Sequence, residues 1–287
     1  MKRSGLTCIL LSTILSVIGF CGCGTRRSFN NSLNNNVQNV ETAEETDGQA
    51  PVGTTVSDGA GAELPSKIEL REETVPVKRY AVSNADGLSV RAAPNTRSSV
   101  LGSLDKGDAV CFLGESDGFI VTEYKEKTAY IFKDYCKIME IPVVSAKTET
   151  VIDLGCSLMG YPYVWGSQRY LWGNGVLNGA FKSGEFDCSA FVQYVYYVAI
   201  GVVLDVTTRT QVKNGIAVER DDIRRGDLLF FTNSSRVNKM GTERIGHVGI
   251  YFGNNYIMHT ASDHAVIEPI SDQRWSYYIT ARRVVKE

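Results

Sequence analysis

One cysteine and two histidines carry the chemistry this sequence could perform. Cys188 sits in "EFDCSAFVQYVYY", residues 185–197, behind a small acid and at the head of an apolar stretch. Asp187 can cap a helix there. That leaves Cys188 in the first turn, where the positive end of the helix dipole lowers a thiol's pKa and favours the nucleophilic thiolate. Cys188, Phe191, Val192, Val195 and Ala199 then share one helix face. Taken alone, such a cysteine reads better as a packed small hydrophobe or half of a disulfide. A thiol nucleophile needs a base, most often histidine. The chain has three: His247, His259 and His264.

Two of these fall on neighbouring apolar stretches, "RIGHVGIYFG" and "NYIMHTA", joined around "FGNNY". A three-residue loop, Gly253 to Asn255, pairs Phe252 with Tyr256. It sets Gly249 opposite His259 and His247 diagonal to His259 on the same face, roughly 7–8 Å apart. A two-residue loop puts the histidines on opposite faces. Gly249 leaves room for a ring. His247 is then the candidate base, and His259 orients it through the other ring nitrogen. His264 reads as an exposed loop residue. A zinc site is the other use for cysteine plus histidine, but the spacing 188, 247, 259 lacks close ligand pairs. No metal and no cofactor are expected.

These residues need elements to hold them. "TETVIDLGCSLMG" places Val151, Leu154, Gly155 and Leu158 on one face of a helix, with Gly160 as its stop. The helix of Cys188 follows a Gly/Asn-rich connection. The strands "GDLLFF", "RIGHVGIYFG" and "NYIMHTA" come next. Helices followed by a run of strands make an α+β arrangement over residues 148–287. Ahead of it, residues 68–140 alternate apolar and polar residues between "DKGD", "SDG" and "YKEK" turns, which suits a small β-barrel. Residues 23–67 are rich in Asn, Thr, Ser, Gly and Glu, with sparse apolar residues and no period, and read as a disordered tether.

The N-terminus reads as a secretory signal, residues 1–22. Lys2 and Arg3 precede an apolar run from Leu6 to Phe20. Its ending, "CGCGT", resembles a bacterial lipoprotein signal, which implies lipidation of Cys23 after the small Gly22. The alternative is a simple secretory signal. Beyond the signal and Cys23 four cysteines remain: 111, 136, 156 and 188. Cys111 and Cys136 share the barrel segment and could pair, although sequence does not fix connectivity. The net charge of −2 offers no basic face for nucleic acid.

Taken together, "YPYVWG", "FDCSAFVQYVYY", "RRGDLLFF" and "IGHVGIYFGNNYIMHTAS" resemble the NlpC/p60 family of papain-like cysteine peptidases, the cell-wall endopeptidases. "LSVRAAPNTRSSVLGSLDKGDAV" and "GFIVTEYKEKTAYI" resemble the bacterial SH3-like family, whose modules usually bind cell-wall peptide. The resemblance implies a papain-like catalytic domain behind an SH3-like barrel. It implies Cys188 as nucleophile, His247 as base and His259 as the third polar residue. Tyr163 would shape the oxyanion and substrate pocket, and Asp187 and Ser189 would contact a stem peptide's free amine. The implied reaction is hydrolysis of the γ-D-glutamyl–diamino acid bond of peptidoglycan stems, at the outer face of a bacterial membrane and held there by the lipid. The rival readings are an idle wall-binding lipoprotein and an amidase or acyltransferase on the same core. Three features depart from the pattern: Ala190 after "DCS", Ser167 in place of a second glycine after Trp165, and a long stretch from Trp165 to Phe186. A short apolar linker, "IPVVSAK", suits a barrel docked near Tyr163 and Asp187.

Overall fold

The computed structural model describes residues 75–261 and 263–286. The signal at 1–22, Cys23, the tether at 23–67 and the first residues of the barrel segment lie outside the described residues. Among the described residues no helix is long and apolar enough to cross a membrane.

The barrel segment forms two antiparallel sheets from eight strands. These are β1 (Val77–Ser83), β2 (Leu88–Arg91), β3 (Val100–Leu104), β4 (Ala109–Cys111), β5 (Gly114–Ser116), β6 (Phe119–Tyr124), β7 (Lys127–Phe132) and β8 (Cys136–Pro142). One sheet runs β4-β1-β8 and the other β3-β2-β7-β6-β5. Alternation decides which side chains turn inward. Phe119, Ile120, Thr122 and Tyr124 of β6 are buried, as are Ala129 and Ile131 of β7.

The second segment opens with α1 (Ala146–Ser157), capped by Ser145, whose hydroxyl accepts from Thr148 N. Next come α2 (Cys188–Ile200), α3 (Thr208–Gln211), β9 (Ile216–Val218), β10 (Leu228–Phe231), β11 (His247–Gly253), β12 (Tyr256–Ala261), β13 (His264–Pro269), α4 (Asp272–Ser276) and β14 (Tyr278–Arg283). The strands make one antiparallel sheet in the order β13-β12-β11-β10-β14-β9. Helix α2 packs its apolar face, Phe191, Val192, Val195 and Tyr196, into the core that this sheet shares with α1. Helices α1 and α2 on one face of an antiparallel sheet, with the short α4 against the other and a small barrel ahead of them, make the α+β architecture expected.

The barrel docks on the second segment, and it does so on α1 and the chain after it. Lys125 N donates to Met159 O at 2.9 Å and Glu126 N to Ser157 O at 2.7 Å. Tyr161 Oη donates to Glu126 at 2.7 Å. Gly160 makes the approach possible. It sits at φ +84°, and a Cβ there would lie 2.1 Å from the Tyr124 ring. Below this seam Arg225 is buried in a bidentate pair with Glu149 of α1, at 2.9 and 3.0 Å, and also donates to Tyr80 Oη of β1 and Phe252 O of β11. Docking was expected nearer Tyr163 and Asp187. Tyr124 and Glu126 meet the chain at the turn out of α1, and the loop before β4 packs beside β13, where Gly107 stands against Pro269.

Three further expectations change. The "FGNNY" connection is a two-residue turn, not a three-residue loop. Asn254 and Asn255 both take positive φ, 49° and 62°, as a tight hairpin turn of this hand demands. A bulge between Tyr251 and Gly253 supplies the extra residue that restores parity. Ile250 therefore still pairs with Met258, which carries Gly249 opposite His259. His264 is not in an open loop but pairs with Ala261 at the start of β13. Cys111 and Cys136 are free thiols, as are Cys156 and Cys188. Cys111 instead lies near Cys156 across the docking seam and adds to the burial that raises the Cys156 thiol well above its ordinary value.

Candidate active site

Asp187 is the N-cap of α2, as its place before the apolar run suggests. Its Oδ1 accepts from Ser189 N at 3.0 Å, Ala190 N at 2.9 Å and Ser189 Oγ at 3.0 Å. Cys188 follows in the first turn, its side chain set against the His247–Val248 step of β11, and is 6% exposed. Gly249 keeps the strand surface low here. A Cβ at that position would meet Ile257 at 2.6 Å and His259 Cβ at 3.0 Å.

The two histidines meet across the hairpin. His247 Nε2 lies 2.7 Å from His259 Nδ1, and the rings are tilted by 73°. His259 is fully buried, and its Nε2 lies 2.9 Å from Glu268 Oε1 of β13. Arg274 of α4 holds the same Glu268 oxygen at 2.6 Å. These contacts fix the protons. His259 and Arg274 hold Glu268 below the usual carboxylate range, against the opposing effect of its burial. Glu268 is therefore an acceptor, so His259 Nε2 carries a proton and donates it. Neutral His259 then accepts at Nδ1, so His247 donates from Nε2. The lone pair of His247 is left on Nδ1, the one nitrogen free to face a thiol.

Burial pushes His247 well below the ordinary histidine value, helped by His259 and Arg274. It lowers His259 too, against the hydrogen bond that His259 donates to Glu268. Both rings are neutral at neutral pH. The Cys188 thiol departs from expectation. Burial and then the Asp187 carboxylate raise its pKa to about 12, outweighing the Val248 and Ser189 backbone N–H groups and Arg169. The first-turn dipole is overridden because burial, and after it the capping carboxylate, disfavours the thiolate. The Cys188 thiol and the His247 imidazole are thus both neutral at neutral pH.

That assignment has a direct check. With the thiol protonated through the neutral range, alkylation of Cys188 by iodoacetamide, followed on its own tryptic peptide, should rise about tenfold per pH unit from pH 7 to 10. A rate already level below pH 8 would mean a preformed thiolate.

The groove beside His247 is lined by Tyr163, Trp165, Phe231, Thr232, Asn233, Thr260, Ser271, Gln273, Arg274 and Tyr277, around about 430 Å³. Tyr163 is half-buried at its wall. Burial, then Cys188 and Asp187, push its phenol up to about 12, so it is a neutral donor. Asp187 and Ser189 are buried and lie outside this lining. Arg169, on the long stretch from Trp165 to Phe186, takes their remaining polar capacity. Its Nη2 reaches Asp187 Oδ2 at 2.9 Å and Ser189 Oγ at 3.0 Å. Ser167, one of the departures, accepts from Asp187 N at 2.8 Å. Among the described residues no three His, Cys, Asp or Glu side chains converge to hold a metal ion.

Sequence reasoning missed Glu268, Arg274 and Arg169. Glu268 had a usable signal. His259 pairs with Val266, so Glu268 is its same-face diagonal neighbour once "HAVIEP" is read as a strand. Glu268→Gln should lower kcat by about 10²-fold. The amide no longer dictates which His259 nitrogen is protonated, and a wrong tautomer in a directly oriented base costs about 10⁴. His259→Asn should fall between Glu268→Gln and His247→Ala in kcat. The reverse order would mean that the two histidines exchange roles.

Residues 160–284 match the family model described as NlpC/P60 family, and residues 86–137 match that of the bacterial SH3 domain. The chain is thus similar to an NlpC/P60 domain behind a bacterial SH3 domain. Among curated proteins it is 30% identical over 171 residues to a gamma-DL-glutamyl hydrolase of Bacillus subtilis, covering 59% of this chain and 37% of that one. It is 35% identical over 143 residues to a peptidoglycan DL-endopeptidase of Bacillus licheniformis, covering 48% and 28%. It is also 35% identical over 136 residues to a murein DD-endopeptidase/LD-carboxypeptidase of Escherichia coli, covering 47% and 65%. The chain thus spans less than two thirds of each of these relatives. A solved NLP/P60-family structure similar to lipoprotein, from Staphylococcus aureus, is 27% identical, covers 50% of this chain and 43% of that one, and has a TM-score of 0.40.

Proposed function

We propose that this protein is a peptidoglycan endopeptidase that hydrolyses the bond between γ-D-glutamate and the diamino acid of stem peptides. The observation that carries the reading is the hydrogen-bonded line from His247 through His259 to Glu268, which leaves the lone pair of His247 on Nδ1, on the strand whose Val248 N–H reaches the Cys188 thiol. The names of the two Bacillus relatives support a DL bond, and that of the Escherichia coli relative marks a DD bond as the nearest alternative.

The cycle follows from those groups. His247 Nδ1 takes the Cys188 proton as the sulfur attacks the γ-carbonyl carbon. The carbonyl electrons move to oxygen, and the Cys188 N–H, which the Asp187 cap does not occupy, stabilises the oxyanion. Collapse breaks the C–N bond, and the leaving amine takes the proton from His247. Water, deprotonated by His247, then attacks the thioester, and Cys188 leaves as a thiol with the proton returned. The domain acts outside the cytoplasmic membrane. Lipid on Cys23 and the tether would keep it within reach of the wall. The barrel's own cleft, lined by Arg91, Phe119, Phe132 and Tyr135 among others, offers a surface for wall peptide.

The test is release of soluble peptide from purified cell-wall fragments. Release should need a thiol reductant, stop with iodoacetamide and survive a metal chelator. Fragments that are retained but never cut would support the idle wall-binding reading instead.

A further inference from the structure

The groove is unevenly charged. Among its described lining residues Arg274 is the one permanently charged side chain, and no carboxylate lines it. Helix α4 brings Arg274 to this wall beside Ser271 and Gln273, and Ser271 caps the helix by accepting from Arg274 N. Its side chain is 26% exposed. Glu268 is the acceptor recorded on its guanidinium, held through Nη2 alone. A guanidinium carries five N–H donors and matches a carboxylate bidentately. Most of that capacity is left over at the edge of the groove. The Glu268 oxygen that holds Arg274 at 2.6 Å is the same oxygen that lies 2.9 Å from His259 Nε2. A carboxylate that binds Arg274 therefore competes with Glu268, the carboxylate that sets the histidine line, for the guanidinium.

We propose that Arg274 is a carboxylate receptor in the groove. It selects stem peptides with a free carboxylate beside the scissile bond, and it couples that carboxylate to the orientation of His259 and His247 through Glu268. This deepens the endopeptidase reading and rests on it. The coupling has a favourable direction. The Arg274 charge depresses both histidines. A substrate carboxylate on Arg274 offsets that charge and leaves more of Glu268 to His259, so His247 becomes a stronger base when substrate is in place. An amide at the same position would offer neither effect.

Two carboxylates flank the bond: the α-carboxylate of the D-glutamate, and the distal carboxylate of a diamino acid that carries one. The experiment separates them with three soluble stem peptides. The first has γ-D-glutamate joined to diaminopimelate, the second has the α-carboxylate replaced by a carboxamide, and the third has lysine in place of diaminopimelate. For the wild-type enzyme, one replacement should lower kcat/KM by about 10–100-fold, through kcat as well as KM because binding and base strength are coupled, and the peptide that suffers identifies the carboxylate. Arg274→Gln should cleave all three at similar low kcat/KM, and Arg274→Lys should recover part of the preference. Similar melting temperatures would show that the variants are folded, and if they are not, the wild-type panel still decides. Equal kcat/KM for all three peptides in the wild type, or undiminished preference in Arg274→Gln, would overturn the proposal. No cleavage of any peptide by the wild type would overturn the endopeptidase reading, and the receptor with it.

Discussion

Cys188→Ala should lower kcat/KM by about 10⁴–10⁶-fold, the scale of losing the nucleophile from a cooperating triad. The melting temperature should barely move, because alanine keeps the helical first turn and only a small sulfur-sized space opens. Cys188→Ser should be nearly as inactive. A hydroxyl is a far weaker acid than the thiol it replaces, and neutral His247 is a weak base in its buried setting. Turnover within tenfold of wild type in Cys188→Ala, measured on stem peptide with the refolded protein checked by circular dichroism, would remove Cys188 from the reaction.

The largest stability effect should come from Arg225→Ala. Arg225 and Glu149 are each 5% exposed, and the guanidinium ties together α1, β1 of the barrel and β11 beneath the groove. The charges support one another. The Arg225 hydrogen bond holds Glu149 below its ordinary value despite burial, and Glu149 raises Arg225. Removing one partner leaves an uncompensated buried carboxylate, which costs about 3–5 kcal/mol. For a folded part of this size that is roughly a 10 °C fall in Tm. The sign of the pH effect follows. A lowered carboxylate stabilises above its unfolded value near 4.5 and loses that contribution as pH falls below it. The wild type should therefore lose its advantage over Arg225→Ala in acid. The double variant Arg225→Met, Glu149→Leu should be less destabilised than Arg225→Ala, and equal or greater loss in the double would show that the two groups act separately. The same seam bears on the barrel. Residues 141–287 alone would expose Met159, Gly160 and the Arg225–Glu149 pair, so loss of stability is expected before any change in substrate preference.

Much of this site was legible because it depends on two periodicities. The 3.6-residue spacing after Asp187 gave the helix and the position of Cys188. The two-residue period of the strands gave the shared face of His247 and His259. That second inference survived a wrong turn length. The bulge at Tyr251–Gly253 and the two-residue Asn254–Asn255 turn shift parity twice, which equals the three-residue loop assumed. The Cys188 pKa was not legible. Its sign depends on how much water α2 and β11 exclude and on the Asp187 carboxylate that the cap itself introduces. Arg169 was hidden for a different reason. It comes from an irregular stretch with no period, and only tertiary folding brings it 18 residues forward to Asp187. Glu268 and Arg274 were overlooked because "HAVIEP" was not read as a strand, so His259 had no known neighbour on that side.

Product analysis on one defined substrate tests the central claim most directly. A disaccharide tetrapeptide with γ-D-glutamyl–diaminopimelate linkage, incubated with the reduced wild-type enzyme and read by mass spectrometry, should yield two fragments split at that bond. One ends in a new γ-carboxylate and the other begins with a new free amine, and Cys188→Ala should yield neither. Fragments from any other bond, the same fragments from Cys188→Ala, or an intact substrate under reducing conditions would contradict the assignment of Cys188, His247 and His259 to this reaction.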